Sequence, residues 1–221
     1  MQFQLISTEV LKECLTNILN RNYPEFVKNL KLEVSEKEFK EWKTKGINQN
    51  KLEELISKIN TNKEEINKTK SIWESKEKEI IKTIKRLTSI EINTKEIVCY
   101  IDPYQNGGYY GEDNITVGAY ENPEDILFVI THELFHVFYW RKLKDLNLTK
   151  SSMGQESLAE WKLAEAVVHL LTTHKKMKRF WLTIAIDAYP EIEETLKKIE
   201  PLWKKSKFDD FLRRLHARRK E

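Results

Sequence analysis

Residues 126–140 read ILFVITHELFHVFYW, and apart from the amphipathic Tyr139 and Trp140 only Thr131, His132, Glu133 and His136 among them are polar. A stretch that is apolar on every side predicts a helix buried on every side. Its start is equally well marked. Asn122 suits the N-cap, Pro123 the first helical position, and Glu124 and Asp125 the positive end of the helix dipole. Upstream the period becomes that of strands. Residues 96–102 predict a buried strand ended by Pro103, and residues 115–120 a short strand that delivers the chain into the helix. Between them, Gln105-Asn106-Gly107-Gly108 and Gly111-Glu112-Asp113-Asn114 predict turns.

Two further helical patterns flank this region. Leu52, Ile59, Ile66, Trp73, Ile80 and Leu87 recur every seven residues, with Leu55, Ile56 and Ile84 filling part of a second seam. Asn60-Thr61-Asn62 breaks the stripe into a hairpin, with Asn62 and Glu65 as a cap. Asn62, Thr69 and Lys76 interrupt the second seam, so the stripe predicts packing onto a core rather than a long coiled coil. Beyond a loop at residues 142–150, Ser152 and Gln155 cap a predicted helix over 153–173. Its wheel gathers Gly154, Gln155, Lys162, Glu165, His169, Thr172 and Thr173 on one side, with Leu158 the apolar exception. Met153, Ala164, Val167 and Leu171 centre the other side, where Glu156 and Glu160 fall one turn apart. Carboxylates on a buried stripe call for a cation.

These elements predict an α+β fold: a small sheet with an edge strand, two central helices, and helical extensions at both ends. Residues 1–88 form a mostly helical N-terminal region, 89–175 the core and 176–221 a helical extension, all within one compact unit. Composition narrows the partners. With 38 Lys and Arg against 35 Asp and Glu, the net charge of +3 gives no general case for a polyanionic partner. The strongest bias, eight basic against three acidic residues over 203–221, is that of a solvated amphipathic helix, so neither nucleic acid nor membrane is expected as a partner. Cys14 and Cys99 are too few and wrongly spaced for a disulfide framework or a thiolate metal site. The start, MQFQLISTEVLKEC, lacks the basic and apolar regions of a signal peptide, and no apolar run reaches 18 residues. A soluble, cytoplasmic protein is expected.

The chemistry lies in the apolar helix. His132 and His136, four apart, project from one face with Cβ atoms about 6 Å apart, a fit to two corners of a zinc tetrahedron. Glu133 lies about 100° further round, where it can act as general base on a metal-activated water. Two imidazoles and a carboxylate are costly in such a setting unless something binds them, and one zinc ion per chain does that.

The HExxH pattern of His132, Glu133 and His136 resembles the zincin metallopeptidases, and mainly over the middle third of the chain. Glu156-Ser157-Leu158-Ala159-Glu160-Trp161 resembles the EGLAEY-like segment of the gluzincins, with Ser157 in place of the glycine. That resemblance implies Glu156, twenty residues beyond His136, as third ligand, and Glu160 holding a histidine ligand from behind. Glu160 and Glu165 stand as alternative ligands. It further implies a zincin-like core, with residues 115–120 as the edge strand along which an extended substrate adds and Gly118 and Ala119 allowing close approach. Gly118-Ala119-Tyr120-Glu121-Asn122 also resembles the GAMEN motif of zinc aminopeptidases, although it lies nearer to HExxH and doubles as a helix start. Tyr104, Tyr109, Tyr110 and Tyr120 flank the strand, either as packing or with one of them donating to an oxyanion. His169 and His174 are expected in solvent. The function expected is zinc-dependent peptide hydrolysis, with a peptide or protein as substrate. A zinc hydrolase or regulator acting on a non-peptide ligand, and a non-enzymatic helical interaction protein, are the rivals.

Overall fold

Strand β1 (Gln2–Leu5) opens the chain, with its glutamines exposed and Phe3 and Leu5 turned toward the protein. A computed structural model describes residues 1–7, 9–12, 16, 36–59, 63–102, 107–120, 122–151 and 156–217. Helices α1 (Glu36–Lys45), α2 (Gln49–Ile59) and α3 (Lys63–Thr88) precede strand β2 (Val98–Asp102). Strands β3 (Gly108–Tyr110) and β4 (Asn114–Gly118) then lead into helix α4 (Pro123–Asp145). After it come α5 (Leu158–Thr172), the single turn α6 (Lys175–Lys178), α7 (Glu193–Trp203) and α8 (Phe208–Ala217). The fold is α+β, with a small mixed sheet among helices.

The heptad stripe does what its patchy second seam predicts. On α3, Trp73, Ile80 and Ile84 are fully buried in the common core, and Ile66 and Leu87 pack on its margin. Thr83 and Thr88, buried on the same helix, satisfy their hydroxyls on the carbonyls of Glu79 and Ile84 one turn back. The expected break at Asn60, Thr61 and Asn62, and the side chains of Leu52, Leu55, Ile56 and Ile59, lie outside the described residues.

The sheet order is β1-β2-β4-β3. β1 pairs parallel to β2, β2 parallel to β4, and β3 antiparallel to β4. This corrects the expectation for residues 115–120. β4 is an inner strand, with Gly118 in register with Asp102 of β2 on one side and its N–H donating to the Gly107 carbonyl at 2.9 Å on the other. Ile115, Thr116, Val117 and Gly118 are all buried, as a strand covered on both faces requires. Gly118 and Ala119 therefore do not form a sheet edge. That edge is β3, which begins at Gly108, inside the stretch expected to be turn. Pro103, Tyr104, Gln105 and Asn106 lie outside the described residues. The second turn is present, closed by the Gly111 N–H on the Asn114 carbonyl at 2.8 Å.

Helix α4 is the axis of the fold. It packs against β3, β4, α3 and α5, and residues 133–140 are buried without a gap. Its C-terminal half is tied to the β3–β4 turn. Arg141 donates to the Glu112 carbonyl at 2.9 Å and to the Asp113 carboxylate at 2.8 Å, and Lys144 pairs with Glu112. Helix α8 turns Phe208, Phe211, Leu212 and Leu215 into the core and leaves Arg213 and Arg214 in solvent, the amphipathic form expected of the basic tail. Cys99 is a buried free thiol, and Cys14 lies outside the described residues. Among the described residues, no helix is long and apolar enough to cross a membrane.

Because Trp73 fills the interior from the N-terminal region, Trp73→Ala is expected to cost about 3–5 kcal/mol of stability. Urea unfolding checks this. A loss below about 1 kcal/mol would make α3 an appendage rather than a wall of the core.

Candidate metal centre

Helix α4 starts as its sequence predicts. The Asn122 side chain accepts from the Glu124 N–H at 3.0 Å, and Pro123 is the first helical residue. Two and a half turns later the i, i+4 spacing brings His132 and His136 together, with their Nε2 atoms 3.1 Å apart. Aromatic rings set their planes. Tyr110 of β3 stacks on His136 at 4.3 Å and 9°, and Phe128 lies 5.8 Å from His132. Neither Nδ1 has a hydrogen-bond partner among the described residues, so the orientation comes from stacking and from whatever the two Nε2 atoms share.

The third member comes from α5, and it is Glu165. One carboxylate oxygen lies 3.5 Å from His132 Nε2 and the other 3.3 Å from His136 Nε2. Among the described residues these three alone gather as a metal-ligand set. Their separations test the fit. Zinc–nitrogen and zinc–oxygen bonds of about 2.0–2.2 Å give a tetrahedron with edges of about 3.3–3.6 Å. The observed 3.1, 3.3 and 3.5 Å come within a few tenths of an ångström of one face of it. His136 is buried, whereas the His132 side chain is 17% exposed, so the centre is approached from the His132 side.

This corrects the assignment of Glu156 and Glu160. Helix α5 begins at Leu158, not near residue 153, because Ser157 is its N-cap. Glu160 then falls at the third helical position and closes a capping box, accepting from the Ser157 N–H and hydroxyl at 2.9 Å each and from Ser151 at 2.9 Å. It caps a helix and supports no histidine. Glu156 precedes the helix and accepts from the Tyr110 hydroxyl at 3.3 Å. It reaches the site through that contact and through its field on His136. Ser152 and Gln155, the expected caps, and Met153 lie outside the described residues.

Glu165 was legible in principle. It stands alone in the run Leu163-Ala164-Glu165-Ala166-Val167-Val168, every member of which is buried. The wheel ranked it behind Glu156 because it shares a polar side with Lys162, His169 and Thr172. Thr172 is buried, however, and His169 is half-buried. The chain at 181–189 covers that side, and His169 feels the charges of His132, Asp187 and Glu165. His174 is also placed by the fold, since its Nδ1 accepts the Lys176 N–H at 3.2 Å and caps α6.

Electrostatics follow from burial. Desolvation works against charge on His132, but the hydrogen bond to Glu165 and the charges of Glu133 and Glu165 outweigh it and raise its pKa above 6.5. Desolvation holds His136 below 6.5 against the pull of Glu165. Burial opposes the Glu165 carboxylate too, yet the paired imidazoles keep it well below the usual carboxylate range. Glu133 is itself buried, against the edge strand. Two phenols line its surroundings. Burial and the charge of Glu133 push Tyr120 up to about 12, with the Gly107 backbone pulling the other way. Tyr189, at the rim beside Trp161, is 46% exposed as a whole, but its hydroxyl is raised by burial and by Glu165 and Glu133. Sequence reasoning missed Tyr189 entirely. Tyr104 and Glu121 lie outside the described residues.

Compared with known proteins, this chain matches no family model, no curated protein and no solved structure.

Glu165→Ala is expected to lower zinc affinity by about 100-fold or more, and Glu156→Ala and Glu160→Ala by less than about 10-fold. Titration against a zinc indicator ranks the three. A larger loss with Glu156→Ala would show that the centre rearranges on binding.

Zinc must displace the proton that the metal-free protein keeps on His132 below its raised pKa. Affinity should therefore climb with pH through and above 6.5, by about tenfold per unit, and level off once His132 is neutral. A flat profile between about pH 6 and 8 would remove His132 from the ligand set.

Proposed function

We propose that this chain is a zinc-dependent hydrolase that cleaves peptide bonds, with His132, His136 and Glu165 as metal ligands and a zincin-like pairing of α4 with α5. The observation that carries the reading is the triangle of donor atoms with edges of 3.1–3.5 Å, made by two neutral-capable imidazoles and a carboxylate at the heart of an apolar helix pair. With His132, Glu133 and His136 on α4, it repeats the resemblance noted in the sequence, with Glu165 in the place expected of Glu156.

Zinc bound there would supply Lewis acidity, which brings water to a nucleophilic form near neutral pH. The rest of the chemistry belongs to the chain. Glu133 accepts the proton of the attacking water and returns it to the leaving amine. Its burial limits competing contact with bulk water. Tyr120 and Tyr189 keep their protons at neutral pH, so toward a developing oxyanion each can only donate. A peptide is favoured as substrate because Glu133 lies against β3, one of the two outer strands of the sheet, where an extended backbone can add by main-chain hydrogen bonds.

Purified protein is expected to hold about one zinc per chain and to cleave dye-labelled casein, and Glu133→Gln to keep the zinc while losing about 100-fold or more of kcat. Negligible zinc even after its addition would leave the helical interaction protein as the reading. Full zinc occupancy without casein cleavage would favour a non-peptide ligand.

A further inference from the structure

We infer that Gly108, on the edge strand, is the positioning residue for Glu133, holding open the one volume in which the base can lie. This rests on the reading of Glu133 as general base, but its geometry stands apart from that reading. A Cβ built on Gly108 would lie 2.5 Å from Cγ, 2.6 Å from Oε1 and 2.7 Å from Cδ of Glu133. Carbon and oxygen do not approach so closely without bonding, so a side chain at 108 and the present Glu133 exclude each other.

The backbone at the position does not call for glycine. Gly107, its neighbour, has φ +126° and needs glycine for its backbone alone, whereas Gly108 carries no such φ and pairs with Val117 as an ordinary strand residue. Glycine inside a strand is a cost in itself against alanine, because it gives up more backbone freedom on folding. The contact accounts for that cost. Since the atoms it would meet begin at Cγ, a Cβ there displaces the whole Glu133 side chain and not merely its tip. The ligand atoms need not follow, because Nε2 of His132 and of His136 meet Glu165, while β3 meets the pair through the Tyr110 ring stacked on His136, two residues from Gly108. The arrangement thus separates two properties: the donor atoms come from α4 and α5, and the room for the base from Gly108 of β3.

The test is a four-protein cycle of wild type, Gly108→Ala, Glu133→Ala and the double variant, read first by thermal and urea unfolding of the metal-free proteins. Gly108→Ala is expected to lower Tm by several degrees in the wild type. In the Glu133→Ala background, where the volume is vacant, it is expected to leave Tm unchanged or raise it. Equal losses in both backgrounds would overturn the inference. If Gly108→Ala alone fails to fold, folding of the double variant supports the inference and its failure overturns it. With zinc restored, Gly108→Ala should hold the wild-type metal content and cut kcat on dye-labelled casein by about 100-fold or more, with KM within about threefold. Wild-type kcat in a folded Gly108→Ala protein would also overturn it. Failure of wild-type protein to cleave casein would sink the proposed function instead, since the unfolding cycle needs neither metal nor substrate.

Discussion

The structure turns on the cost of placing polar groups inside an apolar helix pair. His136, Glu133 and Glu165 are each less than a tenth exposed and sit where α4 and α5 bury nearly everything else. Unpaired, such groups would each cost several kcal/mol. Placed together, the two imidazoles and the Glu165 carboxylate compensate one another in part, and a bound cation would add to that. The surrounding fold frames that cluster: α3 backs α4, β3 lays Tyr110 over His136, and the chain from Trp181 to Tyr189 lies along the side of α5 that carries Glu165 and His169.

What could be read from the sequence was whatever is encoded locally. The start of α4 depends on Asn122, Pro123 and the acids behind them, all within one turn. The approach of His132 to His136 depends on an i, i+4 spacing that the helix converts directly into distance. The α+β class, the burial of Trp73 and Ile80 and the amphipathic character of α8 follow from periodicity in the same way.

What was misread depends on partners remote in sequence. Ser157 and Glu160 have the spacing of a capping box, and a pattern shared with a ligand segment concealed it. Shifting the helix start to Leu158 removed Glu156 from the helix altogether. Glu165 lay on a side that looks polar in isolation and is covered by residues near 181–189, which no wheel of α5 contains. The edge of the sheet was misplaced because three residues, Gly108 to Tyr110, suffice for a strand when β4 supplies all the pairing. Two adjacent glycines read as a turn, yet only Gly107 needs its glycine for its backbone conformation.

The ties between Arg141, Lys144 and the turn at Glu112 and Asp113 have a consequence for how the molecule would respond to its surroundings. Glu112, Asp113 and Lys144 are exposed and Arg141 is partly so, so each pair is worth little to global stability and is weakened by salt. Yet they tie down the turn of a short hairpin whose outer strand lies against Glu133. Because β4 keeps its ladder to β2 without them, added salt acts on the turn at Glu112 and Asp113 and leaves the sheet in place.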